Sequence, residues 1–228
     1  MNIHRILLTA FAILLSCTIF ANGNKVIFNY GIKAGFQAVA YNSISFNIDG
    51  YRYDDNTIHS NKIGYSINPF IRLTKNRFYL QTEAAFGVTY HNFNFFETNK
   101  GNFIGNDPEY KLTTYCIQVP LLLGYNFINY DNYGMSIFTG PRTRFILTSM
   151  CDQDFSNFGY NNLEEKLDDT IFYWELGVGI RIYNIFLDIT YDWGIERSKY
   201  ILTDKSTGCN FTNKRNDSVL SFSVGCIF

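Results

Sequence analysis

The sequence predicts an all-β protein: an eight-stranded antiparallel up-and-down transmembrane β-barrel preceded by a signal peptide. Three observations predict it. Beyond the first 21 residues, hydrophobicity alternates with period two almost throughout, which is the mark of a strand with two unlike faces. Charges within those stretches fall on one face only. The connections between them are short and long by turns. Composition frames the prediction. The 228 residues are 46% hydrophobic, 18% aromatic and 17% charged, yet mean hydropathy is only −0.08. Such an aromatic load cannot stay hydrated in a disordered chain, and a membrane helix bundle would need a higher hydropathy. With 19 Lys and Arg against 20 Asp and Glu, the net charge is −1. That excludes a polybasic surface, so no nucleic-acid partner is expected.

The elements follow in chain order. The first apolar run, Ile6 to Phe20, is preceded by His4 and Arg5 and followed by Ala21-Asn22-Gly23. It is too short for a membrane helix, which needs ~20 residues. It reads as a secretory signal over 1–21, cut after Ala21, leaving 22–228 as the barrel domain. A lipoprotein signal is the rival, with Leu14-Leu15-Ser16-Cys17 as a lipobox and Cys17 as the lipidated residue.

Strands are expected near 29–41, 63–73, 78–91, 112–127, 133–147, 171–182, 184–197 and 217–228. The first carries Lys33 on its polar face, the second Arg72 and the third Glu83 with His91 near its end. The fourth places Cys116 there, and the fifth Arg142 and Arg144. In the sixth, Phe172, Trp174, Leu176, Val178, Ile180 and Ile182 oppose Tyr173, Glu175, Gly177, Gly179 and Arg181. In the seventh, Ile185, Leu187, Ile189, Tyr191, Trp193 and Ile195 oppose Phe186, Asp188, Thr190, Asp192, Gly194 and Glu196. In the last, Leu220, Phe222, Val224, Cys226 and Phe228 oppose Ser221, Ser223 and Gly225.

A secreted β-sandwich would point its apolar face inward and its charges to water. Here the polar face has only five cations and five carboxylates, and it is rich in glycine, a poor solvent-face strand residue that leaves room for facing Arg and Tyr side chains. Connections 74–77, 128–132 and 183–184 are tight, whereas 42–62, 92–111, 148–170 and 198–216 are long and polar. Short turns on one rim and long loops on the other are the outer-membrane barrel pattern. An open strand edge has no water partner in lipid, so the sheet must close. Tyr30, Phe78, Tyr125, Phe127 and Phe228 are expected in one interfacial girdle. Tyr90, Tyr115, Trp174, Tyr191 and Trp193 form the other. The terminal Phe228 suits recognition by barrel-assembly machinery. Pro69, Pro120 and Pro141 each remove a ladder donor, so bulges or bends are expected there.

In order along the chain, Gly31-Ile32-Lys33-Ala34-Gly35, Ile117-Gln118-Val119-Pro120-Leu121-Leu122-Leu123, Gly140-Pro141, Leu176-Gly177-Val178-Gly179-Ile180 and Leu187-Asp188-Ile189-Thr190-Tyr191-Asp192-Trp193-Gly194 resemble the PorT-like outer-membrane β-barrel family typical of Bacteroidetes. The resemblance spans nearly the whole mature chain and rests on the order of short motifs. It implies an eight-stranded barrel in the bacterial outer membrane. It implies no functional residue, because there is no motif to carry one over.

A barrel this narrow is filled by side chains. Lys33, Arg72, Glu83, Arg142, Arg144, Glu175, Arg181, Asp188, Asp192 and Glu196 are therefore expected as a structural charge network in the lumen. Arg142, Arg144 and Arg181 should pair with the carboxylates. A catalytic reading needs a base beside a nucleophile or carboxylate. His59 lies in the first long loop and His91 at a rim, where a hydrogen-bonding role competes with a catalytic one. No GxSxG, HExxH, phosphate-loop or dinucleotide fingerprint occurs. Cys151 and Cys209, in adjacent long loops, form a candidate disulfide. Asn210-Phe211-Thr212 has glycosylation spacing that means nothing in a bacterium. Asp152, Asp154, Glu164, Glu165, Asp168 and Asp169 read as a solvated acidic loop before a cation site. No cofactor is expected.

The resulting expectation is a small outer-membrane barrel without catalytic activity. It would contact outer-membrane lipid and bind an extracellular or periplasmic protein partner through its loops, or support the envelope or secretion. The alternatives are a lipid-modifying barrel enzyme using His91 and a small channel.

Overall fold

A computed structural model describes residues 26–48, 51–53, 58–95, 109–153, 163–167, 170–195, 198–204 and 210–228. The signal peptide over 1–21, with Cys17, lies outside them. Twelve strand segments occur in chain order: β1 (Ile27–Ile48), β2 (Tyr51–Tyr53), β3 (Ile58–Lys75), β4 (Phe78–Glu83), β5 (Ala85–Phe95), β6 (Glu109–Asn129), β7 (Tyr133–Gln153), β8 (Leu163–Leu167), β9 (Thr170–Ile182), β10 (Ile185–Gly194), β11 (Ser198–Asp204) and β12 (Asn210–Ile227). Eight staves form the barrel: β1, β3, β4 continued by β5, β6, β7, β9, β10 and β12. Each is antiparallel to the next, and β1 closes on β12.

Alternation decides which way each residue faces. Along β10 the burial pattern is a strict exposed–buried repeat, with Phe186, Asp188, Thr190 and Asp192 inward and Ile185, Leu187, Ile189, Tyr191 and Trp193 outward. The outer surface is accordingly apolar from Ile32 and Ile67 round to Val178, Leu187 and Val224. Trp174 turns its ring outward, and its Nε1 donates to Thr139 Oγ1 at 2.9 Å, so this indole N–H is paired on the apolar exterior.

Three two- or three-residue turns make one rim. In two of them a non-glycine residue takes a left-handed backbone, Asn76 at φ 57° and Tyr183 at φ 51°. Asparagine tolerates this through local hydrogen bonding. Tyr183 is held there by its N–H on the Asn132 carbonyl, at 2.7 Å. The chain ends meet on the same rim: Tyr30 and Phe228 exchange backbone bonds of 3.1 and 2.7 Å, and their rings lie 5.8 Å apart. Both expected aromatic sets are exposed, apart from the half-buried Tyr125, whose ring lies tilted against Phe78.

Three expectations change. The long connections contain more strand than their polarity suggests: β2 pairs β1, β11 pairs β12, and β8 pairs β11. Thr, Tyr and Ile residues such as those of Tyr200–Thr203 carry the ladder on past the barrel wall. Second, the third stave is two segments, because its ladders break around Ala84. Third, bulges do not fall at the prolines. Register slips occur at Tyr41/Ser43, Tyr115/Cys116 and Asn126/Ile128, toward the rims, where a bulge can bend a strand out of the wall. At Pro69, Pro120 and Pro141 the register holds and only the pairing lapses.

Candidate functional site in the barrel lumen

The inward face is layered. Nearest the tight turns, Phe70, Tyr79, Leu122, Phe138 and Phe186 are buried. Their rings fit because glycine stands opposite. Tyr79 is registered against Gly124 and Phe138 against Gly177, and a Cβ on either glycine would land in the ring. Phe70 and Phe186 meet edge to face at 5.3 Å. Arg72 lies 4.2 Å above the Tyr79 ring while its Nε donates to Gln81 Oε1 at 2.6 Å, so the cation is held by a ring face and an amide.

Above this layer sit the ion pairs. Lys33 Nζ lies 2.7 Å from Glu83 Oε1 and 3.3 Å from Asp188 Oδ2. Arg142 reaches Glu175 Oε2 through Nε at 2.9 Å and Asp192 Oδ2 through Nη1 at 2.7 Å. Amides complete the set: Gln81 and Asn68 donate to Glu83, Arg142 also donates to Gln118, and Gln118 donates to Gln37. Glu175 and Asp192, both 0% exposed, are direct register partners on β9 and β10. Two adjacent buried carboxylates repel, and the Arg142 fork between them is what makes the pair tolerable.

Toward the other rim, Arg144 Nη1 donates to the Tyr173 hydroxyl at 3.2 Å, and Ile171, Tyr173 and Val219 form a second apolar cluster with Ile146. The charges are thus enclosed between two apolar layers. Among the described residues, no group of three or more His, Cys, Asp or Glu is placed to hold a metal ion.

Of the ten expected lumen charges, the structure joins Lys33, Glu83 and Asp188 into one triad and Arg142, Glu175 and Asp192 into a second. Arg72 and Arg144 flank them on aromatic rings. Arg181 does not pair with a carboxylate as expected: it sits at the tight-turn rim and donates to the carbonyls of Tyr130, Asp131 and Tyr183 and to Asn129 Oδ1. Its strand position set its face correctly, but its height takes it below the acids. Glu196, Cys209 and the side chains of Cys151, His59, His91 and the acidic loop lie outside the described residues. Cys116 and Cys226 are free, and Phe228 closes the seam at the chain ends.

Sequence reasoning put Tyr173 and Phe186 on the inward face, where both are buried, but did not single out Phe70, Tyr79 and Phe138 or the individual amides. Their signal was parity: Phe70 stands two residues before Arg72, Tyr79 four before Glu83 and Phe138 four before Arg142, all on the charged face.

Residues 20–200 match a family described as outer membrane protein beta-barrel domain. The outer membrane protein OprG from Pseudomonas aeruginosa is similar with a TM-score of 0.59 at 11% identity, over 90% of this chain and 98% of that one. Ail, the attachment invasion locus protein of Yersinia pestis, is similar at a TM-score of 0.38 and 11% identity, over 88% and 99%. Neisserial surface protein A gives 0.35 and 13%, over 89% and 98%. No curated protein matches the chain.

Proposed function

The chain belongs to the outer membrane protein beta-barrel domain family and resides in the bacterial outer membrane, and on that premise we propose that it is a non-catalytic, non-conducting barrel whose external strand extensions hold a protein partner. The filled lumen carries this reading. Two apolar layers and two ion triads between them occupy the space a channel would need. The wall itself supports the binding role. At ~3.3 Å per residue and ~40° tilt, the 22 residues of β1 rise about 55 Å, roughly twice the apolar band of such a barrel. The surplus stands on the long-loop side, and no closed barrel needs it for spanning.

The resemblance to the PorT-like family supports a role in envelope assembly or secretion as the setting for that partner. Lipid contact and delivery by the barrel-assembly machinery, with Phe228 as the signal, belong to the same reading. Purified protein in a planar bilayer should give no discrete conductance steps. Replacing 154–162 and 205–209 with Gly-Ser linkers should abolish partner cross-linking in cells while unheated protein still migrates fast on a gel. Conductance steps, or lipid hydrolysis that disappears in His91→Ala, would replace this reading with the channel or the enzyme.

A further inference from the structure

Three tyrosines outside the expected girdles gather on the tight-turn rim, the side of such a barrel that faces the periplasm. Tyr130 lies between β6 and β7, Tyr133 opens β7, and Tyr183 lies in the turn between β9 and β10. They are 61%, 49% and 63% exposed. The rings of Tyr130 and Tyr133 lie 4.7 Å apart and only 31° from parallel. The two turns are fastened to each other. Arg181 donates to the carbonyls of both Tyr130 and Tyr183, and the Tyr183 N–H donates to the Asn132 carbonyl at 2.7 Å.

Tyr183 is the unexpected member. In the turn between β3 and β4 the left-handed position falls to Asn76, a residue that tolerates it. In the turn between β9 and β10 an asparagine, Asn184, stands next in sequence, yet Tyr183 takes the left-handed backbone at φ 51°. A bulky residue is strained there and glycine is not. Burial does not offset the strain, because the side chain stands mostly in the open. Strain kept at an exposed ring is the mark of a contact made with something outside the chain.

The surrounding groups select the chemistry of that contact. Asn129, Asp131, Asn132 and Asn184 are exposed around the tyrosines. The cation among them, Arg181, is engaged by three carbonyls and Asn129 Oδ1, so it is committed to holding the turns and not to an anionic headgroup. Flat aromatic faces bordered by amides and one carboxylate suit a sugar. The C–H bonds of a pyranose pack on the ring faces, while its hydroxyl and acetamido groups exchange hydrogen bonds with the amides. A stably docked protein needs more surface. Eight staves ~4.8 Å apart at ~40° tilt make a wall about 16 Å across. With side chains the rim covers roughly 500 Å², short of the ~800 Å² per partner of a standard protein interface.

We propose that Tyr130, Tyr133 and Tyr183 form a binding site for a glycan strand of the cell wall, the polymer beneath the outer membrane, with sugar rings seated on the tyrosine faces. The site is independent of the external partner, since it lies on the opposite rim. Co-sedimentation of the folded protein in detergent micelles with purified peptidoglycan sacculi tests it. The wild type should pellet with intact sacculi and equally with glycan freed of its peptide stems by amidase, and added phosphatidylglycerol should not release it. Tyr183→Gly removes the strain together with the ring. It should withstand heating at least as well as the wild type, yet need about tenfold more sacculi to pellet, the loss expected of an aromatic anchor. A wild type that stays in the supernatant overturns the proposal. So does a Tyr183→Gly barrel that keeps its fast unheated migration and pellets like the wild type. Pelleting that disappears on stem-free glycan would assign the contact to the peptide stems, and release by phosphatidylglycerol would assign it to lipid headgroups; either result overturns the glycan site.

Discussion

The two halves of this barrel wall are built on different terms. The arc from β3 to β7 carries three prolines and three interrupted ladders, whereas the arc of β9, β10, β12 and β1 is continuously paired through the same span. Charge divides along the same boundary. In the lumen the perforated arc contributes Arg72, Arg142 and Arg144 against Glu83. The continuous arc contributes Lys33 against Glu175, Asp188 and Asp192, with Arg181 apart at the rim. The weaker wall therefore carries surplus positive charge and the stronger wall surplus negative charge. Attraction across the lumen adds to the unbroken β1–β3 and β7–β9 ladders that join the two arcs.

The largest effect should come from cutting that attraction. Arg142→Met leaves Glu175 and Asp192 buried, adjacent and unneutralised, and breaking a buried pair in this way costs about 3–5 kcal/mol. Stepwise heating before electrophoresis should show the folded band lost at a much lower temperature. Adding Glu175→Gln and Asp192→Asn should restore most of the loss, because neutral amides remove the repulsion. An Arg142→Met barrel as heat-resistant as the wild type would mean the arcs are held by their ladders alone.

A smaller effect tests the layer both arcs share. Gly124 lies in the perforated arc and Gly177 in the continuous one, and each seats a ring, Tyr79 or Phe138. Gly124→Ala and Gly177→Ala should each cost about 1–3 kcal/mol, the usual penalty for overpacking. Tyr79→Leu should rescue the first but not the second. If Gly124→Ala is much milder, the perforated arc yields to the added carbon by bending, which sharpens the contrast between the arcs.

The contrast was only partly legible in the sequence. Period two and face assignment were, since Asp188 and Asp192 can share the lumen only if Leu187 and Ile189 face lipid. The prolines were visible too, but their alignment was not. It depends on cross-strand register, and Pro69, Pro120 and Pro141 come into line only after β3, the β4–β5 stave, β6 and β7 are set in order. Arg181 shows the same limit. Alternation reports a residue's face and is silent about its height in the barrel, so an arginine bound to turn carbonyls reads like one in the ion cluster. The upper strands were hidden by polarity: above the membrane both faces meet water, and the alternation that marks a strand disappears.

The smallest prediction has the opposite sign. Pro69→Val returns an N–H opposite the Ala84 carbonyl, in a wall whose apolar surroundings hold no water to replace it. A restored ladder bond is worth about 0.5–1.5 kcal/mol, and valine suits an exposed, lipid-side strand position. The variant should survive heating slightly better than the wild type. In the continuous arc the mirror change, Val178→Pro, removes a bond from a ladder that has no other gap and should destabilise. A proline tolerated at Val178 would show that the wall is indifferent to such lapses anywhere. A gain at residue 69 with a loss at 178 would instead mean that ladder bonds are missing, and stability with them, from one arc only.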